Sequence, residues 1–433
     1  MEPASIPFAD ALRVWIRVAL LSFGGPAGQI ATMHRILVDE KKWIGEERFL
    51  HALNFCMLLP GPEAQQLAIY IGWLLHRIKG GLAAGILFVL PGAAAMMALS
   101  WLYVLEGHVA PIAALFFGLK AAVVAIVFQA VHRIARRALT GWQHYAIAAL
   151  AFAALFLLHI PFPAVIACAA LLGLAGSAST AAANRKTNPP EAGEQGDSGG
   201  ARGWTIVTLL VLWLAPVALL HQIGAPAGAL GEIASFFTRL ATVSFGGAYA
   251  ALSWAGQVAV SHYHWLAPRE MLDGLGLAES TPGPLIIVTQ HIGFLAAYRS
   301  PGSLPPLLAG TLGGLLATWA IFTPCFLWVF LGAPYVERLR RSPTLRAALG
   351  GITAAVVGVI LNLGLWFALH FWFGQIEDRR LGLLHLPALR WLSLDQQAVL
   401  LSLAALAAAF LFRRGTFAIL GGCAAAGLAL KLL

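Results

Sequence analysis

The sequence predicts an all-α polytopic membrane protein made of two homologous halves as an inverted repeat, with about 13 transmembrane segments and a broken helix in each half. Three observations carry this reading. The first is composition: 433 residues are 59% hydrophobic and 11% charged, with a mean hydropathy of +0.79. A soluble chain carries about a quarter charged residues. The second is a set of runs without Asp, Glu, Lys, Arg or His, Leu82–Leu105, Ile160–Asn184, Gly203–Leu220 and Ala347–Leu369. They match the ~20 residues a helix needs to cross a bilayer. The third is a pair of matching interruptions, Pro60-Gly61-Pro62 and Pro282-Gly283-Pro284, inside otherwise apolar segments. Short alternating segments, the mark of a β-barrel, are missing from the sequence.

In order, the first half reads as segments at Phe8–Ala31, Ala52–Leu75 (broken), Leu82–Leu105, Val109–Val131, Tyr145–Leu158 and Ile160–Ser177. Residues 181–202, rich in Asn, Pro, Gly, Ser and charge, read as a flexible polar linker. One connecting helix occupies 203–222. The second half then runs through Phe236–Val260, Leu272–Tyr298 (broken), Leu304–Val329, Ala347–Phe371, Gln396–Phe412 and Gly415–Leu430. The domains are thus a first repeat at 1–180, the linker, the connecting helix, and a second repeat at 223–433. No removed leader is expected, because no small-residue cleavage site follows the first apolar run.

Register supports duplication. At an offset of 222, Ser22-Phe23-Gly24-Gly25 matches Ser244-Phe245-Gly246-Gly247, Arg17 matches Arg239, Trp43 matches Trp265, and the two Pro-Gly-Pro motifs coincide. At 233, Pro91 pairs with Pro324 and Ala121-Ala122-Val123-Val124 with Ala354-Ala355-Val356-Val357. An odd number of crossings between the copies inverts one against the other. With the N-terminus cytoplasmic and the C-terminus periplasmic, most basic residues fall inside, at 77–79, 133–137, 185–202, 269, 338–346 and 413–414. The basic 34–48 loop falls on the outer side and is the exception. The net charge of +9 is therefore assigned to topology, and no nucleic-acid partner is expected. Cys56, Cys168, Cys325 and Cys423 are scattered singly, so neither a metal nor a disulfide framework is expected.

The chemistry is expected at the breaks. Proline lacks an N–H and clashes with the preceding turn, so Pro-Gly-Pro ends one half-helix and starts another. The new N-terminus offers free amides and a positive dipole end, which suits an anion. Thr281 is a candidate N-cap there. Gly24, Gly25, Gly246 and Gly247 read either as close helix packing or as bends exposing backbone N–H groups. Gln29, Gln65, Gln66, Thr289 and Gln290 are candidate donors, each also readable as an interhelical hydrogen bonder. Charges at membrane depth mark function by default. Glu63 and Glu279 flank the breaks and are the candidates for proton coupling, against a purely structural role. Lys120 lies mid-span, where it either attracts an anion or pairs with Glu63 or Glu106. Arg17 and Arg239 precede the two bends equally and are candidate substrate guides or snorkelling side chains. His51, His76, His132 and His291 show no ligand spacing. No Walker loop, HExxH, nucleophile elbow or dinucleotide fingerprint occurs in a usable context, so no enzyme and no cofactor is expected.

Phe23-Gly24-Gly25-Pro26 with Gln29, Leu59-Pro60-Gly61-Pro62-Glu63-Ala64 with Gln65, Phe245-Gly246-Gly247 and Glu279-Ser280-Thr281-Pro282-Gly283-Pro284 together resemble the chromate ion transporter family in its long, two-domain form. The resemblance covers nearly the whole chain. It implies secondary active export of chromate across the bacterial inner membrane, coupled to the proton-motive force as an antiporter and conferring chromate resistance. Sulfate, another tetrahedral dianion, is the natural competitor, and a homodimer is a candidate assembly. A passive anion channel and a non-transporting structural protein are the readings from other classes.

Overall fold

The computed structural model describes residues 6–107, 109–180, 199–333, 342–382 and 384–432. Almost all of them are helical. The chain opens with α1 (Phe8–Leu21), α2 (Gly25–His34, continued by a π-helical turn, Arg35–Glu40) and α3 (Glu46–Cys56). Next come α4 (Glu63–Glu106), α5 (Ala110–Ala138), α6 (Trp142–Phe156), α7 (Phe162–Thr180) and α8 (Gly199–Ile223). The second half repeats the pattern with α9 (Leu230–Val243), α10 (Ala248–Gln257, continued by a π-helical turn, Val258–His262), α11 (Pro268–Ser280) and a 3₁₀ turn, Leu285–Ile287. It continues with α12 (Val288–Arg299), α13 (Pro306–Gly332), α14 (Pro343–Trp372), α15 (Gln396–Phe410) and α16 (Thr416–Leu432). Residues 181–198 of the expected linker lie outside the described residues, and α8 takes up its last four.

At each break the chain turns back. Arg17 Nη1 meets Glu40 Oε2 at 2.8 Å, so the far end of α2 returns beside α1. His34 Nε2 and Glu46 Oε2, 2.5 Å apart, start α3 on that same face. Past the Pro-Gly-Pro break, the first arm of α4 (63–75) runs back to the N-terminal segment, where His76 Nε2–H donates to Ile6 O at 2.7 Å. There the backbone reverses through Arg77 at φ 52°, and the second arm (78–106) packs antiparallel to the first, with the Gly72 and Gly80 backbones in contact. The second half does the same on the opposite face. Ala229 N–H donates to Ser300 O (3.0 Å), joining the start of α9 to the end of α12, and Arg299 Nη2 meets Glu270 Oε1 at 2.5 Å across the open ends of α11 and α12.

The leading two segments of each half, expected as crossings at Phe8–Ala31, Ala52–Leu75, Phe236–Val260 and Leu272–Tyr298, each hold a break at which the chain reverses. The 34–48 loop consequently shares the N-terminal face with Arg77. Arg269, which donates to His370 O at 3.3 Å, sits with Arg299 on the other.

The repeat is visible in backbone angles. Positive φ recurs at the 222 offset in Gly24 and Gly246 (81° and 86°), Lys42 and His264 (54° and 53°), and Gly61 and Gly283 (117° and 93°). The two π-helical turns obey the same offset. Packing is exchanged between halves: α5 lies against α15 and α16, while α14 lies against α6 and α7. Small residues at these contacts let helices approach closely, the main source of association where lipid is as apolar as the side chains. One departure from an all-helical chain is the antiparallel hairpin β1 (Ile376–Leu381) and β2 (Leu384–Leu389), paired Ile376 to Leu389 and turned through Gly382 at φ 65°.

A side chain at Gly61 or Gly283 must adopt left-handed backbone, at a cost of about 1–3 kcal/mol. At Gly61 a Cβ would also lie 3.0 Å from Gln66 Nε2 and 3.2 Å from Cys325 Sγ. Gly61→Ala and Gly283→Ala are expected to lower the melting temperature of detergent-solubilised protein by several degrees, read by size-exclusion after heating. Gly415→Ala, where a Cβ meets only open space, is the neutral control.

Candidate functional site

The four breaks come together in one place, and each supports the one from the other half. Gly61 N–H donates to Ser244 O (3.0 Å), and Gly283 N–H donates to Ser22 O (2.8 Å). The Pro-Gly-Pro turn of each half is thus held by the Ser-Phe-Gly-Gly bend of its counterpart. Both serines turn their hydroxyls back into their own helices, Ser22 to Val18 O and Ser244 to Leu240 O, which leaves their carbonyls for this exchange.

Because every break reverses the chain, four helical segments begin here: α2, the first arm of α4, α10 and the 3₁₀ turn leading into α12. A helix leaves its first amides without intrahelical partners. None of these four starts has a side-chain cap. Thr281 is not the N-cap expected from the sequence. It closes α11 instead, donating its hydroxyl to Ala278 O at 3.1 Å, because Pro282 to Pro284 intervene before the next turn begins.

Three glutamines surround this point. Gln29 Nε2 donates to Gly283 O (2.5 Å) and Gln66 Nε2 to Pro60 O (2.7 Å), while the carbonyl oxygen of each has no partner. Gln65, in the first turn of α4, is fully buried with neither Nε2 nor Oε1 satisfied. An unpaired buried amide costs about 1–3 kcal/mol. Gln290, by contrast, is used up structurally, donating to Ala93 O (2.9 Å) and accepting from Thr318 Oγ1 (3.0 Å).

The two carboxylates differ in setting. Glu63 opens the α4 arm at a helix N-terminus, where the dipole favours negative charge. Its Oε1 lies against Gly247 at the start of α10, 3.0 Å from where a Cβ would stand. Glu279 is buried near the C-terminal end of α11, where the dipole opposes negative charge, and accepts a hydrogen bond from Tyr249 OH at 2.9 Å. Tyr249 itself sits beside Gly25.

The cations expected to guide an anion are engaged elsewhere. Arg17 is held by Glu40, and Arg239 donates along its own helix to Ser235 O (3.2 Å) and to Tyr263 OH (3.5 Å). Lys120 pairs with neither Glu63 nor Glu106. Its Nζ meets Asp273 Oδ1 at 2.6 Å, both side chains are largely buried, and Tyr103 OH donates to the same carboxylate at 3.1 Å. Sequence reading missed Asp273, Tyr103, Tyr249 and Ser100, the last bonded to His291 Nδ1 at 2.9 Å. For Asp273 the signal was available: it is an acidic residue inside an apolar segment, as Lys120 is a basic one. Among the described residues no group of His, Cys, Asp and Glu is arranged to hold a metal ion.

Fold and site together define a duplicated helical membrane protein whose buried centre presents several helix N-termini and orphaned amide groups. A family model, "Chromate transporter", matches residues 9–174 and 231–428, one block on each repeat, and the chain belongs to that family. Relatives include the "Chromate transport protein" of Pseudomonas aeruginosa, 31% identical over 83% of this chain and 80% of the relative. That of Cupriavidus metallidurans is 30% identical over 80% and 79%. A "Probable chromate transport protein" of Synechococcus elongatus is 29% identical over 80% and 81%. No solved structure matches.

Two outcomes follow from these contacts. Gln65→Leu removes a buried unpaired amide and is expected to leave folding intact or raise the melting temperature, while oxyanion transport falls at least tenfold. Loss of stability with transport retained contradicts a ligand role for Gln65. For the buried pair, Asp273→Asn strands the Lys120 charge, a change of about 3–5 kcal/mol, and is expected to cut the yield of folded protein. Adding Lys120→Met to Asp273→Leu is expected to restore yield, measured by fluorescence-detected chromatography.

Proposed function

We propose that the chain exports chromate from the cytoplasm across the bacterial inner membrane, with an oxyanion seated where the four breaks meet. The observation that carries this is Gln65, fully buried with both amide atoms unpaired in the first turn of an uncapped helix. A tetrahedral dianion supplies what that place lacks: acceptors for free amides and negative charge for dipole ends. Donors and dipoles, rather than a nearby cation, offset its charge. The relatives named above are chromate transport proteins, which supports chromate as cargo, with sulfate the competing dianion.

The halves act as an inverted repeat. Counting each doubled-back segment as re-entrant leaves nine full crossings rather than thirteen: the second arm of α4, then α5 to α8 and α13 to α16. Five separate the equivalent points of the two copies, so the inversion survives. The N-terminal face then carries 35–48, 77–79, 133–137, 346 and 413–414. The opposite face carries 269, 299, 379–390 and 431. The positive-inside rule makes the first of these cytoplasmic and the C-terminus periplasmic.

Glu63 couples the cargo to protons. Its carboxylate already rests at two helix N-termini, and an incoming dianion competes for the same positive ends. Anion and proton therefore bind together, not in exchange. A dianion leaving with one proton still carries net negative charge outward, which an inside-negative potential drives. Glu279, held by Tyr249, is the second titratable group of the centre.

Labelled chromate uptake into inverted vesicles tests this, with pH gradient and membrane potential set independently and excess sulfate as competitor. Interior-positive potential is expected to drive uptake, and Glu63→Gln is expected to abolish its pH dependence. Uptake driven by an acid interior at zero potential establishes proton exchange and overturns co-binding at Glu63. Uptake under neither condition overturns export.

A further inference from the structure

A cavity of about 470 Å³ opens on the face opposite the N-terminus, away from the crossed breaks. Two polar stripes run along its walls, between apolar residues such as Leu155, Phe156, Leu363 and Leu369. Ser253, Gln257 and Ser261 follow one another at four-residue spacing along α10 and its π-helical turn, and Asn362, Trp366 and His370 do so along α14. Such spacing puts each set on one side of its helix. Both stripes originate at the centre. α10 begins at Gly247, against which Glu63 rests, and Val356 of α14 packs on Gly246. From Gly247 to Ser253 is about 9 Å of helix at 1.5 Å per residue. Ser253 Oγ donates to Val359 O at 3.4 Å, a contact between the two helices at the cavity's inner end.

The roof is chain that the other repeat lacks. In the first half, residues 139–141 join α5 to α6; the equivalent connection from α14 to α15 is 373–395 and contains the β-hairpin. Long connections of this kind in compact folds usually carry function. The hairpin is fixed in place by His385 N–H donating to Leu157 O (2.7 Å). It brings Arg380 and His385 over the cavity, and the His385 ring lies 4.4 Å from that of His159. Among the described residues the one carboxylate in the lining, Glu377, is paired with Arg390 at 3.0 Å. Among the described lining residues, hydroxyls, amides, imidazoles and a guanidinium thus outnumber acidic groups, and the volume holds a small oxyanion with part of its hydration shell.

We propose that this cavity is a second oxyanion site, a vestibule that receives the same tetrahedral dianion on its way between the centre and the periplasmic face. Gln257, Ser261 and Asn362 are its hydrogen-bonding wall, Arg380 the cation at its rim, and His159 with His385 two further imidazoles there. The inference rests on the oxyanion cargo proposed above.

Single cysteines at Gln257, Ser261 and Asn362, on a Cys168→Ser background because Cys168 is the exposed native thiol, test it in the full-length protein. The probe is a negatively charged methanethiosulfonate, and the protecting ion is sulfate, since chromate itself oxidises thiols. All three positions are expected to react from the face opposite the N-terminus and to react at least fivefold more slowly in saturating sulfate than in gluconate of equal ionic strength. In parallel, Asn362→Ala and Gln257→Ala are expected to raise the KM for chromate several-fold with kcat nearly unchanged. Labelling indifferent to sulfate, labelling only from the N-terminal face, or unchanged KM in both variants overturns the proposal. Transport by the unlabelled parent reads the central site separately: no oxyanion uptake there with sulfate protection intact removes the proposed cargo and leaves the vestibule standing as an anion site.

Discussion

Backbone released inside a membrane has no water to satisfy it, so it must find partners within the protein. In this chain four interrupted segments meet that demand by crossing over, Gly61 to Ser244 and Gly283 to Ser22. The glycine amide of each Pro-Gly-Pro turn is bonded by the other half. The exchange ties the repeats into one body, fixes where the reversals occur, and aims several helix starts at one point. Everything proposed about anion binding depends on that geometry.

The arrangement also explains a tension between stability and use. Gln65 and the free carbonyl oxygens of Gln29 and Gln66 are buried without partners, which a chain selected only for folding would replace. Other buried polar groups are matched: Gln290 makes two hydrogen bonds, and Lys120, Asp273 and Tyr103 form a closed set. Among the described residues, four of the eight unpaired buried side-chain atoms belong to these three glutamines; the others are on His76, Thr238, His291 and Trp328. Glu63 at the start of one helix and against the start of another, with Glu279 at the end of a third, places the titratable groups beside the breaks.

Much of this was legible in the residues. Proline chemistry located the breaks, a constant register revealed the duplication, and both survive in the angles of Gly61 and Gly283. What sequence could not supply was direction. Pro-Gly-Pro says that a helix stops, not whether the next one continues or returns; Arg17 with Glu40 and His76 with Ile6 decide that. Partner choice was equally hidden. Lys120 is separated from Asp273 by 153 positions, and no local pattern links them. Thr281 looked like a cap because it precedes a helix, but three intervening residues give it to the helix before. The β-hairpin lacked the alternating apolar signal of a buried strand, since its described residues are exposed or half-buried.

The most direct measurement is crystallographic: protein grown with selenate, a tetrahedral dianion with an accessible absorption edge, and an anomalous map at that edge. A peak is expected within hydrogen-bonding distance of Gln65 Nε2 and the first amides of the α4 arm, lost in Gln65→Leu. A map with no peak at the crossed breaks, or one unchanged by Gln65→Leu, contradicts the claim that these helix starts hold the oxyanion.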